Sequence, residues 1–169
     1  MSWVTIIWSM SASACLTLAG LHLLVWCKKR TAWANLLFAL AAMGSAALAF
    51  CELKMMRAQT PQQFGIALCW LHVPSFVVVL AVVGFVLLYL RAGRPWLGWT
   101  VGVVRTLSLL LNFVFTPNLN YREITALRHI PFLGETIPIP GGVPNPWMLV
   151  GQLSLLLWVI FVADATLTT

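Results

Sequence analysis

Five long apolar runs separated by short polar or basic turns fill most of the chain, at about 3–26, 32–52, 64–90, 96–115 and 147–167. Bilayer hydrocarbon is roughly 30 Å thick and takes about 20 helical residues at a rise of 1.5 Å each, so every run is long enough to cross it. The runs are continuously apolar. Barrel strands would instead alternate apolar and polar residues over roughly ten positions. The pattern predicts an all-α integral membrane protein: a single membrane domain over 1–169, with five transmembrane helices and one long connection at 116–146.

Inside the second run, Ala41 with Ser45, Ala42 with Ala46, and Ser45 with Ala49 set small residues four apart, and Ser9 with Ser13 does so in the first. Such spacing lets helix backbones approach closely where lipid supplies no hydrophobic drive for association. Pro74 removes one backbone hydrogen bond from the third run and predicts a bend just beyond His72.

The connection reads TPNLNYREITALRHIPFLGETIPIPGGVPNPW from Thr116 to Trp147. Asn120 and Glu123 have N-cap and N3 spacing, and Tyr121, Ile124, Leu127 and Ile130 recur at helical intervals. The expectation is a short amphipathic helix ended by Pro131, then a proline-braced segment folding down as a cap over the helix bundle. Arg122, Glu123, Arg128, His129 and Glu135 are candidate contact residues for whatever the connection meets. Glu123, His129 and Glu135 match no metal-site spacing, so no metal site is expected.

Composition agrees with the hydropathy pattern: 61% of residues are hydrophobic and 8% charged, against roughly 25% charged in a soluble domain. Orientation follows from the cations. Lys28, Lys29 and Arg30 follow the first helix, and Arg91 and Arg94 separate the third from the fourth, which predicts that both turns are cytoplasmic. Lys54 and Arg57 lie near Glu52, and the long connection balances Arg122 and Arg128 against Glu123 and Glu135. The N-terminus and the connection are then outside and the C-terminus inside. Trp3, Trp8, Trp70 and Trp147 fall near outer helix ends and Trp26, Trp33, Trp96 and Trp99 near inner ones, as an aromatic belt requires. The net charge of +6 reads as topology and headgroup contact, not nucleic-acid binding. No basic segment precedes the first apolar run and a basic cluster follows it, the arrangement of an N-out anchor rather than a cleaved signal peptide.

Arg105 lies about nine residues into the fourth helix, where an unpaired charge costs at least about 2.5–3.5 kcal/mol. Asp164 on the fifth helix is the candidate partner: on antiparallel neighbours the two side chains lean toward one another, which predicts an intramembrane salt bridge. His72, Asn112 and Gln152 are polar groups that can line a small pocket beneath the connection or bond between helices. His22 is expected to bond a neighbouring backbone or side chain. Cys15, Cys27, Cys51 and Cys69 form no CxxC, and buried packing is favoured over a Cys51–Cys69 disulfide. No histidine pair sits at matching depth on facing helices, so no haem, chlorin or other cofactor is expected. Neither a nucleophile–base pair nor a phosphate-binding loop is present, and no catalytic residue is assigned.

The segments WSMSASACLTLAGLHLLVWC (8–27), RTAWANLLFA (30–39), AGRPWLGWTVGVVRTLSLLLNF (92–113), NLNYREITALRHIPFLGE (118–135) and GVPNPWMLVGQLSLLLWVIFVADA (142–165) resemble the N-terminal multi-spanning sensor region of bacterial sensor histidine kinases that carry PAS domains. The resemblance covers essentially all 169 residues. It implies a non-catalytic sensory input module of a bacterial inner membrane, leading into cytoplasmic PAS, phosphoacceptor and ATP-binding domains. None of those domains lies within these residues, so any kinase activity belongs to a parent protein. The alternative is an accessory structural subunit that packs by its apolar helices and its connection against a larger membrane complex. Both readings imply membrane lipids and other transmembrane helices as partners, whether further C-terminal spans, a second copy or other subunits.

Overall fold

The computed structural model describes residues 3–132 and 135–168, with only the backbone of Glu135. Among them are five helices long and apolar enough to cross a membrane: α1 (Trp3–Lys28), α2 (Trp33–Met56), α3 (Pro61–Phe85), α4 (Pro95–Val114) and α5 (Met148–Leu167). A wider π turn, Val86–Leu90, prolongs α3, so that span reaches Leu90. The architecture is compatible with an integral membrane protein.

Local chemistry sets the helix ends. Thr60 has extended backbone angles and its Oγ1 accepts from the Gln63 N–H at 3.2 Å, while Pro61 takes the first helical position, where its missing N–H costs nothing. α3 therefore starts three residues earlier than the hydropathy suggests. α2 runs on to Met56, which brings Lys54 into the helix. Between α3 and α4, Arg91 and Gly93 adopt positive φ angles of 52° and 73°, and Pro95 opens α4.

α2 is sandwiched between α1 and α3. Its buried residues are small ones, Ala39, Ala42, Gly44, Ala46 and Ala49, apart from Met55 near its end. Gly44 marks the closest approach to α3: a Cβ there would lie 2.6 Å from Val78 Cγ2 and 3.2 Å from the Pro74 carbonyl oxygen. α3 stays helical through Pro74, which is buried against that crossing. A second core forms where α3, α4 and α5 meet. Phe161 is fully buried there among Val79, Val83, Val101 and Ala165. α1 packs chiefly on α2 and stands at one edge, with Leu16, Leu21 and Leu24 exposed.

The connection corrects the sequence reading. In place of an amphipathic helix, β1 (Tyr121–Phe132) and β2 (Glu135–Pro144) form an antiparallel hairpin. The spacing of Tyr121, Ile124 and Leu127 that suggested a helix is real, since these are the half-buried positions of β1. The periodicity arises because β1 is irregular: its register shifts between Tyr121 and Glu123 and again between Ile124 and Ala126, displacing the inward face by one residue each time. The prolines fit this ladder. Pro131, Pro138 and Pro140 fall at pairs of one parity (131 with 136, 129 with 138, 127 with 140), alternating with Ile130–Ile137 and Arg128–Ile139. At that parity backbone N–H groups point away from the partner strand, so a proline forfeits no rung. Gly142 sits opposite the irregular stretch, where any Cβ would collide with the Glu123 carbonyl oxygen. The hairpin covers only part of the bundle: Ile124 and Leu127 pack on Met55, Ala58, Phe64 and Ala67 at the ends of α2 and α3, whereas Ile130, Phe132 and Ile139 are exposed.

Candidate functional site

A column of polar side chains runs through the apolar interior shared by α3, α4 and α5. At its hairpin end, the fully buried Asn118 accepts the N–H groups of Asn120 and Tyr121 at 3.0 Å each and donates to the Gly65 carbonyl at 3.4 Å. Asn145 donates its N–H to the Asn120 carbonyl at 3.0 Å and its Oδ1 accepts from the Trp147 N–H at 3.2 Å. Two asparagines, one on each flank of the hairpin, thus fix its entry and exit.

One turn inward, Asn112 of α4 joins the hairpin base to the helices. Its Oδ1 accepts from the Leu119 N–H at 3.2 Å, and its Nδ2 donates to the Cys69 carbonyl of α3 at 2.9 Å. Leu119 is itself fully buried and would touch a Cβ placed at Gly151 of α5. His72 is buried close by, with Nδ1 donating to the Leu68 carbonyl at 3.1 Å. Donating from Nδ1 leaves Nε2 as the acceptor of the neutral ring.

Arg105 is the centre of the column. It is 3% exposed, and its guanidinium donates from Nη1 to Ser154 Oγ of α5 at 3.3 Å and from Nη2 to Ser75 Oγ of α3. Ser154 in turn donates to the Gly151 carbonyl at 2.6 Å. Arg105 Nε and Ser108 Oγ, one turn apart on α4, are buried and have no hydrogen-bond partner among the described residues. The arrangement is a cation held by neutral hydroxyls of both neighbouring helices, with donor capacity left over.

The predicted Arg105–Asp164 pair does not form. Asp164 lies at the opposite end of α4, where Oδ2 accepts from the Arg94 backbone N–H at 2.9 Å and Oδ1 stands 3.5 Å from Arg94 Nε. Depth is the reason: Arg105 is eleven residues beyond Arg94, about 16 Å along the axis, farther than opposed side-chain tilts can bridge. Asp164 also gains from the α4 N-terminus, whose free N–H groups and dipole favour an anion. Thr168 completes this end, accepting from the Gly93 N–H at 3.1 Å. The apolar layer of Val79, Val101 and Phe161 separates it from Arg105.

Gln152 is not brought together with His72 and Asn112. It lines a groove of about 470 Å³ with Asn120, Tyr121, Met148 and Phe64, between the hairpin and the helix ends. Arg122, Glu123, Arg128 and His129 are exposed along β1. Glu135 pairs with Phe132 through its backbone, and its side chain lies outside the described residues. His22 Nδ1 is 2.8 Å from Asn35 Oδ1, a bond from α1 to α2. All four cysteines are free. The polar residues that the sequence reading passed over, Ser75, Ser108, Ser154, Asn118 and Asn145, are single small polar groups in apolar or proline-rich surroundings. Their one signal was that two of the serines lie on the helices flanking an arginine that needed partners. Comparison of the chain with protein-family models, with curated proteins and with solved structures finds no match.

Proposed function

We propose that the chain is a multi-pass membrane input module, with the hairpin on the outer face of a bacterial inner membrane and the Arg94–Asp164 end in the cytoplasm. The observation that carries this reading is the column itself. The Leu119 N–H at the hairpin base is bonded to Asn112, and the helix holding Asn112 also holds Arg105, which is bonded to α3 and α5 together. A ligand or partner that shifts the hairpin moves a buried group whose alternatives are discrete, because a guanidinium among hydroxyls exchanges one acceptor for another. Ionisable groups placed inside a membrane domain at a cost in stability are, by default, where function resides. The turn carrying Lys28, Lys29 and Arg30 and the turn carrying Arg91 and Arg94 support the orientation. The resemblance to kinase sensor regions supports the same class of function.

A second reading has its own observation. α1 is the least enclosed of the five spans, with only Val4, Thr5 and Ala19 buried among its residues, and it stands at an edge. That exposure suits an accessory subunit covered by other transmembrane helices. The intact mass of the natively expressed protein, with the identity of whatever co-purifies, separates the two. The input-module reading expects this region to be continuous with, or bound to, cytoplasmic signalling domains. Stoichiometric recovery with unrelated membrane subunits and no signalling domain overturns it in favour of the second.

A further inference from the structure

At the hairpin end, the last turns of α2 and the first turns of α3 bound a groove of about 790 Å³. Its walls are apolar: Phe50, Ile66 and Trp70 line it, each more than half exposed. On α3 the lining runs from Gln63 to Trp70, seven residues or about 10 Å along the helix axis. Its mouth is cationic. Lys54 and Arg57 line it, and neither forms an ion pair among the described residues. The Lys54 ammonium stands 5.0 Å from the centroid of the Phe50 ring, which draws the charge toward the apolar wall. Glu52, the acidic residue of this helix end, is not among the lining residues. On the α3 side, Gln63 Oε1 accepts from the Gln59 N–H at 3.0 Å, which leaves its amide N–H groups as donors.

We infer that this groove is a binding site for an anionic phospholipid. The headgroup phosphate accepts from Lys54, Arg57 and the Gln63 amide, and an acyl chain lies along Phe50, Ile66 and Trp70. Two unpaired cations with no carboxylate on the wall complement a headgroup of net negative charge. A zwitterionic headgroup brings a cation of its own to the same mouth and gains less. The apolar wall gives an acyl chain a surface that a free phosphate ion could not use. The groove stands apart from the α3–α5 column and holds its lipid whether or not the column transmits a signal.

Native mass spectrometry of the full chain in detergent, titrated with phosphatidylglycerol and with phosphatidylcholine of the same acyl chains, tests the site. Phosphatidylglycerol is expected to bind about thirtyfold more tightly, the size of effect that two interfacial cations supply. K54Q/R57Q is expected to abolish the preference, K54R/R57K to keep it, and I66A/W70A to weaken both lipids while leaving their ratio unchanged. These side chains are exposed, so the variants are expected to fold as the parent does. Equal binding of the two lipids overturns the proposal. So does a preference that survives K54Q/R57Q, since it then belongs to another basic turn such as Lys28–Arg30.

Discussion

Arg105 is costly by position and unusual in its partners. An arginine at that depth costs at least about 2.5–3.5 kcal/mol, and its acceptors, Ser75 and Ser154, are neutral. Bonds to hydroxyls recover part of the desolvation, yet a fully apolar residue of similar shape needs none of it. Arg105→Met is therefore expected to leave thermal stability in detergent unchanged or raise it, by up to about 3 kcal/mol. A loss of more than about 2 kcal/mol would show that the guanidinium has a stronger partner than the serines. Asp164 belongs to a different interaction, and a pair of double-mutant cycles distinguishes the two. Arg94→Gln with Asp164→Asn is expected to show a coupling of about 0.5–1 kcal/mol, modest because Arg94 is largely exposed. Arg105→Gln with Asp164→Asn is expected to be additive within about 0.5 kcal/mol, as groups separated by an apolar layer should be.

Among the elements, the α2–α3 contact depends on the absence of side chains. Gly44→Ala places a methyl against Val78 and the Pro74 carbonyl, and because the second neighbour is backbone the helices must part; a cost of about 1–3 kcal/mol in unfolding free energy is expected. Gly20→Ala on α1 meets nothing within 4 Å and is expected to be neutral or slightly stabilising. Comparing the two thermal midpoints separates a packing effect from a helix-propensity effect. The helices were legible because membrane spans are written as uninterrupted apolar length, a signal that needs no knowledge of neighbours. The small-residue face of α2 was legible for a similar reason, although Gly44, its closest contact, belongs to none of the pairs Ala41–Ser45, Ala42–Ala46 and Ser45–Ala49. The hairpin was misread because a strand with two register shifts imitates a three-residue period, and because prolines suggest a loop until their shared parity along the ladder is seen. Arg105's need for partners was legible. Which partners it takes was not, since that depends on the depth at which α3, α4 and α5 face one another.

At the scale of the whole molecule, the chain divides into a packing half and a polar half. α1 packs on α2, with His22 and Asn35 as a polar link between them. α3, α4 and α5 enclose the column that starts beneath the hairpin, stops at the Phe161 layer and gives way to the Arg94–Asp164 end. The hairpin sits over both halves, its β1 side chains on the ends of α2 and α3 and its base tied to α4 through Asn112. If the column couples hairpin to helices, breaking one bond at its top must be felt at its centre. Backbone hydrogen exchange of the full chain in lipid nanodiscs, compared with Asn112→Leu, measures this most directly. Coupling predicts faster exchange at Leu119 and the hairpin base, and also in α4 around Arg105 and in α5 around Ser154. Faster exchange confined to residues 117–121, with the Arg105 layer unchanged, would contradict it and leave the hairpin a passive cover.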